Sequence, residues 1–69
     1  MKTIEVTQHI RDRIAERKLS FEGVVAAMKS ERKFPRHGEP NKWVHIGDEV
    51  TVIAEHIGRT VRLVTAYAS

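Results

Sequence analysis

The chain has 69 residues, of which 41% are hydrophobic and 30% charged, and its 12 Lys and Arg against 9 Asp and Glu give a net charge of +3. This length and composition fit one globular domain and exclude a disordered chain or a membrane span. The chain has no cysteine, which excludes disulfides and thiolate metal sites. We therefore expect a single domain over residues 1–69, located in the cytoplasm, with no membrane partner.

The first half of the chain predicts a short strand and two helices. Ile4 and Val6 alternate with polar residues, a pattern typical of a strand. Thr7 and Ser20 are N-cap residues, and each precedes apolar side chains spaced three and four apart, the period of a helix with one buried face. The predicted segments are a lead-in strand over 3–6 and helices over 8–18 and 21–30.

The second half of the chain changes to a twofold apolar period, which predicts strands. The residues before it are rich in Lys, Arg, Pro and Gly and predict a basic loop. Gly47-Asp48 and Gly58-Arg59 each predict a two-residue type II′ turn. The predicted segments are the basic loop 31–41 and strands 42–46, 49–57 and 60–67. The predicted fold is α+β, with two N-terminal helices packed on a three- to four-stranded antiparallel meander sheet.

These two turns also predict the strand register. His45 is expected opposite Val50, and Val50 opposite Tyr67. Trp43 and Thr65 then lie on the same face as these three residues. This face is the more apolar one, so we expect the helices to cover it.

The segment 29–42 carries most of the excess positive charge, with five Lys and Arg against two acids. A basic segment favours binding to a polyanion, but it is also typical of a solvated connector. Trp43 directly follows this segment, and its indole either stacks on a base or anchors the core. The predicted nucleic-acid-binding residues are Lys29, Arg32, Lys33, Arg36, Lys42 and Trp43.

His9, Arg13 and Arg17 recur every four residues and so lie along one side of the first predicted helix. Two guanidiniums supply forked donors for a phosphodiester, and an imidazole can move a proton near neutral pH, as RNA cleavage requires. The same spacing is typical of a surface helix whose arginines pair with Asp12 and Glu16.

Other polar residues give weaker signals. Thr65 and Tyr67 carry two hydroxyls near the end of the last strand, where they either orient a phosphate or reflect the strand preference of Thr and Tyr. His45 and His56 share a predicted face, but the sequence has no His, Asp and Glu cluster of known metal-binding spacing. We therefore predict no metal and no cofactor.

The segment from Thr7 to Val24, TQHIRDRIAERKLSFEGV, together with the terminal Thr65-Ala66-Tyr67, resembles a family of small bacterial and phage domains of unknown function. That family opens with a short strand, a His-Ala-x-x-Arg-x-x-x-Arg pattern and an Ile/Leu-Ser turn, and its last strand reads Thr-x-Tyr. The resemblance spans about residues 3–67, with Ile10 in place of Ala and Lys18 in place of Gly. The family is similar to the ribonuclease-toxin (BECR) superfamily that groups barnase, EndoU, colicin nucleases and RelE.

The resemblance implies a toxin-like, metal-independent endoribonuclease, in which a ribose 2′-hydroxyl attacks the adjacent phosphate. It implies His9 as the acid or base, Arg13 and Arg17 as stabilisers of phosphate charge, and Thr65 and Tyr67 as positioning hydroxyls. RNA and an antitoxin or host protein are the expected partners. The alternative is a non-catalytic phage or mobile-element protein that binds a host protein or nucleic acid through its basic face. A homodimer that pairs sheet edges is a further expectation.

Overall fold

Two helices and five strands make up residues 3–69, the part of the chain that the computed structural model describes. In chain order they are β1 (Thr3–Val6), α1 (Gln8–Glu16), α2 (Phe21–Lys29), β2 (Lys33–Arg36), β3 (Glu39–Ile46), β4 (Val50–Ile57) and β5 (Thr60–Ala68). Neither helix is long and apolar enough to cross a bilayer.

The strands form one mixed sheet in the order β1-β5-β4-β3-β2. β1 is parallel to β5, and the other neighbouring pairs are antiparallel. The prediction of a three- to four-stranded antiparallel meander is therefore wrong, although the class remains α+β. Parallel pairing requires a long crossover connection, and both helices and three strands lie between β1 and β5.

The segment 31–41, predicted as a basic loop, contains β2 and the start of β3. Its turn lies at His37-Gly38, where Gly38 has a φ of 77°, which an L side chain rarely adopts. Pro35 pairs with Trp43 although Pro is rare inside sheets. This position is tolerated because β2 is an edge strand, where a missing N–H donor costs no ladder bond on the open side.

Both helices begin at the predicted N-caps. The Thr7 Oγ1 accepts a hydrogen bond from the Ile10 N–H at 3.2 Å, and the Ser20 Oγ accepts one from the Gly23 N–H at 2.9 Å. The Thr7 hydroxyl also donates to the Leu63 carbonyl at 3.3 Å, which ties the start of α1 to β5.

α1 ends in two hydrogen bonds of the Schellman type. The Leu19 N–H donates to the Ile14 carbonyl at 2.9 Å, and the Lys18 N–H donates to the Ala15 carbonyl at 3.3 Å. Lys18 has a φ of 54°, in the left-handed region that usually takes glycine. The chain therefore turns sharply into α2 with a lysine in a strained conformation.

The core lies between the helices and one face of the sheet. α1 packs on β5, and α2 packs on β4 and β3. The buried core side chains are Ile10, Val24, Ala27, Val50, Val52, Ala54, Val61, Leu63 and Ala66.

The β4–β5 turn has the predicted two residues. Ile57 pairs with Thr60, and Gly58, the first turn residue, has a φ of 56°. This positive φ at the first position is what a type II′ turn requires.

The β3–β4 turn lies one residue later than predicted, so the predicted Gly47-Asp48 turn is wrong. The Gly47 N–H donates to the Val50 carbonyl at 2.9 Å, which leaves Asp48 and Glu49 as the turn. A Cβ on Gly47 would lie 2.7 Å from the Val50 oxygen and 3.0 Å from Ala27. This glycine therefore permits the close approach of α2 and does not supply a positive φ.

The later turn shifts the β3–β4 register by two residues. His45 pairs with Val52 and not with Val50, and Trp43 pairs with Ala54. Since side chains alternate with a period of two, this shift leaves every side chain on its predicted face.

Candidate nucleic-acid interface

The three residues of the predicted α1 row have different environments. His9 is exposed. Arg13 donates to the Glu16 carboxylate at 2.6 Å, and Arg17 donates from Nη1 to the Ala66 carbonyl at 2.8 Å. Arg17 therefore joins the end of α1 to β5, while Arg13 is partly neutralised within the helix.

A β-bulge in β5 separates this row from the two predicted hydroxyls. Leu63 pairs with Ala54, but Thr65 pairs with Ile53, so β5 has one extra residue at this point. Beyond the bulge Ala66 faces the core, and Thr65 and Tyr67 lie on the sheet face opposite the helices. The prediction that Thr65 and Tyr67 share the helix-covered face is therefore wrong.

Three of the five predicted cations of segment 29–42 are in ion pairs. Arg32 contacts the Asp48 carboxylate at 3.0 Å. Arg36 Nε and Lys42 Nζ both contact Glu39, at 2.9 and 3.1 Å. The hydrogen bond from Lys42, and then the charge of Arg36, lower the pKa of Glu39 below its ordinary value. These cations are thus less available to a polyanion than the sequence implies.

The other two cations and the indole lie on the helix side of the sheet. Lys29 and Lys33 are exposed and make no ion pair with any residue between 3 and 69. Lys33 pairs with His45, so it is diagonal to Trp43 on the same face, at a typical Cβ separation of about 7–8 Å. Trp43 is half-buried. We call Lys29, Lys33 and Trp43 the Lys-Trp patch.

Two histidines meet beside this patch in a way that the sequence did not predict. The Nε2 atoms of His45 and His56 are 3.1 Å apart, with the rings inclined at 22°. One nitrogen must donate and the other accept, so the two rings hold complementary tautomers. The ring of Trp43 approaches His56 edge-on with centroids 6.1 Å apart.

His45 on β3 pairs with Val52 of β4, and His56 lies four residues beyond Val52 on the same face. The two imidazoles therefore extend toward each other over Ala54, which lies between Val52 and His56. The predicted register placed His45 opposite Val50, two residues farther from His56 than the observed partner Val52, so no sequence signal revealed the contact. No group of three metal-ligating side chains occurs within residues 3–69. The edge-on contact of Trp43 with His56 places the pair against the indole, so the two imidazoles contribute to the packing of Trp43.

A groove of about 510 Å³ lies between α2, from its N-cap Ser20 to its C-cap Ser30, and the β3–β4 turn. Glu22, Asp48 and Glu49 line it together with Arg32. Because its charged lining is mostly acidic, this groove is unsuited to a phosphate backbone. Of the predicted site residues, it contains Arg32.

Comparisons of the chain with protein-family models, with curated proteins and with solved structures gave no match. The functional proposals below therefore depend on the residues of this chain.

Proposed function

We propose that this protein binds single-stranded RNA through the Lys-Trp patch. The observation that carries the proposal is the placement of Lys33 and Trp43 on the same face of β2 and β3, with Lys33 free of any acidic partner among the described residues. Such a placement offers a cation to a phosphate and a ring to an adjacent base.

Recognition by a cation and an indole needs an RNA strand whose bases are unpaired. An indole stacks on a base only when the base is free of its duplex, and the contribution is about 1–3 kcal/mol per base. Lys29, at the end of α2, supplies a second ammonium group on the same side of the sheet. The combination favours a short single-stranded segment over a duplex.

Further cations on α1 extend the positive surface. Arg11 and Lys18 are exposed and lack an ion pair among residues 3–69. Together with Arg17 they supply long-range attraction to a polyanion, which raises the association rate and weakens as salt screens it.

The experiment is a titration of Trp43 fluorescence with a single-stranded RNA oligonucleotide at several salt concentrations. Trp43 is the single tryptophan, so the signal reports on the patch itself. Each phosphate contact contributes about −0.7 to the slope of log K against log salt for a single strand. We expect Lys33→Gln to reduce the magnitude of that slope by about this amount.

Arg59→Gln is the matched control. Arg59 is also exposed and without an ion pair, but it lies on the β4–β5 turn, so its loss changes the net charge equally without touching the patch. Equal effects of the two substitutions, or an unchanged tryptophan signal, would reject the patch as the binding site.

RNA cleavage by the α1 row is the second candidate. The observation that favours it is the contact of Arg17 with Ala66, which holds His9, Arg13 and Arg17 on the helix lying against the last strand. On this proposal the row acts without Thr65 and Tyr67, since these hydroxyls lie across the sheet. Purified protein would cleave total RNA in EDTA, and His9→Ala would lose that activity; intact RNA with the unmodified protein refutes it.

We also propose that the protein is cytoplasmic and that it has a toxin-like or mobile-element role. A host protein or antitoxin that covers the basic surface is the alternative to RNA, because an acidic protein satisfies the same cations. An interface with a protein has a polar rim around an apolar core, so its affinity would lack the linear salt dependence expected for RNA.

A further inference from the structure

His45 and His56, which we call the histidine pair, form a titratable group beside the Lys-Trp patch. Their Nε2 atoms are 3.1 Å apart, whereas their ring centroids are 5.3 Å apart, so the two nitrogens lie on the facing sides of the rings. His45 is buried and His56 is half-buried. His56 is therefore the ring of the pair that a ligand on the sheet surface can reach.

The strand register places a basic residue on each diagonal of Trp43. Pro35 of β2 pairs with Trp43, and Lys33 lies two residues before Pro35. Ala54 of β4 pairs with Trp43 from the other side, and His56 lies two residues after Ala54. Lys33 and His56 thus share a face with the indole, each at a typical diagonal Cβ separation of about 7–8 Å. A nucleotide stacked on the indole has a phosphate on either side, toward these two corners.

The hydrogen bond between the two rings lets the pair take up one proton without separating. In the neutral pair one Nε2 carries a hydrogen and donates it to the other. A proton added at Nδ1 of the donor ring leaves this contact in place and makes it charge-assisted, which strengthens it. A second proton would give both rings an Nε2–H and set two donors against each other at 3.1 Å. In the observed geometry the pair therefore holds at most one proton.

Two lysines border the histidine pair on the helix side of the sheet. Lys33 pairs in register with His45 from β2. Lys29 is in the last turn of α2, the helix that packs on β3 and β4. Like charges oppose a proton on the pair, and a phosphate that neutralises them removes this opposition and attracts the imidazolium.

The acidic residues of the elements packed around the pair have other positions or partners. Glu55 precedes His56 in sequence but lies on the opposite face, in register with Lys42 and Arg62. Glu39 at the start of β3 contacts Lys42, and Glu22 of α2 lines the groove at the β3–β4 turn. The neighbouring strand β5 presents apolar side chains to this face. A phosphate of bound RNA is thus a new source of negative charge for the pair.

We propose that the histidine pair makes RNA binding at the Lys-Trp patch proton-linked, so that the bound RNA adds one proton to the pair and the charge lies on His56. This role rests on the proposed RNA binding and names its pH dependence. Linkage is reciprocal, so the proton strengthens RNA binding by the same factor by which RNA strengthens proton binding. Imidazoles change charge between about pH 5 and pH 8, and the affinity therefore rises as the pH falls through this range.

Calorimetric titration of the protein with an oligouridylate tests this role, because uracil and the phosphodiester keep their charge throughout the range. We expect the affinity to rise at least about fivefold from the upper to the lower part of the range. Binding heats compared between buffers of different ionisation enthalpy should show a net uptake of no more than one proton per site. His56→Gln keeps a hydrogen-bonding group beside His45 but cannot hold the proton, so it should abolish the uptake and flatten the pH dependence.

His37→Gln is the matched control. His37 is exposed in the turn between β2 and β3, so this substitution removes an imidazole outside the Lys-Trp patch. We expect it to retain both the proton uptake and the pH dependence of the unmodified protein.

RNA binding with a pH-independent affinity and no proton uptake overturns the role of the pair and leaves the proposed RNA site in place. Uptake that persists in His56→Gln also overturns it. An absence of RNA binding at every pH rejects the RNA site and this role together. If His56→Gln fails to fold, the imidazole nitrogen NMR shifts of the unmodified protein decide the question. Saturating oligouridylate should move the titration midpoint of His56 upward by at least about 0.7 pH unit, the equivalent of fivefold, and an unmoved midpoint overturns the role.

Discussion

The left-handed lysine after α1 permits a stability prediction with a sign and a magnitude. Lys18 has a φ of 54°, a conformation that costs an L residue about 1–2 kcal/mol. Glycine carries no such cost, but its freedom in the unfolded chain offsets about 0.5–1 kcal/mol of the gain. Lys18→Gly should therefore raise the free energy of unfolding by about 0.5–1 kcal/mol.

This gain is large enough to measure by thermal unfolding. An unfolding entropy of about 2.1 cal/mol/K per residue over 69 residues gives about 145 cal/mol/K, so Tm should rise by roughly 3–7 °C. Circular dichroism at the helix band gives the midpoint.

Lys18→Ala is the control for the loss of the ammonium group. It retains the Cβ, which causes the strain, so we expect no rise in Tm. A rise of the same size in both variants would attribute the effect to charge and refute the backbone explanation. A fall in Tm for Lys18→Gly would refute it as well.

Three further predictions concern packing and charge. Gly47→Ala places a Cβ 2.7 Å from the Val50 carbonyl oxygen and 3.0 Å from Ala27 of α2, and it should cost about 1–3 kcal/mol in urea unfolding; an unchanged midpoint would contradict the close packing around Gly47. Ile10→Ala removes a fully buried side chain and should cost about 2–5 kcal/mol in the same assay, and a loss below this range would mean that α1 does not seal the core. The pKa of the Glu39 carboxyl should lie below the ordinary value for glutamate in an NMR titration, and Lys42→Met should move this pKa upward because it removes the hydrogen bond that lowers it. Because the folded-state pKa of Glu39 is lowered, its stabilising contribution is present above the unfolded-state pKa and is lost as the pH falls through the folded value.

Local signals in the sequence determined much of the fold. The helix N-caps lie where Thr7 and Ser20 predict them, because a short polar side chain before an apolar helical period has few other roles. The β4–β5 turn was predicted correctly from Gly58, because the positive φ of this residue depends only on the local turn conformation.

Features that depend on contacts distant in sequence could not be predicted. Gly47 lies just before the β3–β4 turn, where a Cβ would meet both the Val50 oxygen and Ala27 of α2. A glycine in a turn sequence does not reveal whether it supplies a positive φ or permits such a close approach. The parallel pairing of β1 with β5 depends on residues more than fifty positions apart. Neither constraint is visible in a local pattern.

One extra residue in β5 caused the largest error in the prediction of the candidate site. The bulge in β5 turned Thr65 and Tyr67 to the opposite face, whereas the two-residue shift between β3 and β4 changed no face. An odd shift reverses every later side chain and an even shift reverses none. Site residues beyond a possible bulge are therefore the least predictable from alternation.

Mapping the RNA contact on the protein surface tests the central proposal most directly. In a titration of the labelled protein with a single-stranded RNA oligonucleotide, we expect the largest NMR shifts at the Trp43 indole N–H and at the Lys29 and Lys33 side chains. Shifts confined to the sheet face opposite the helices, around Phe34 and Tyr67, or no shifts at millimolar RNA, would contradict the proposal.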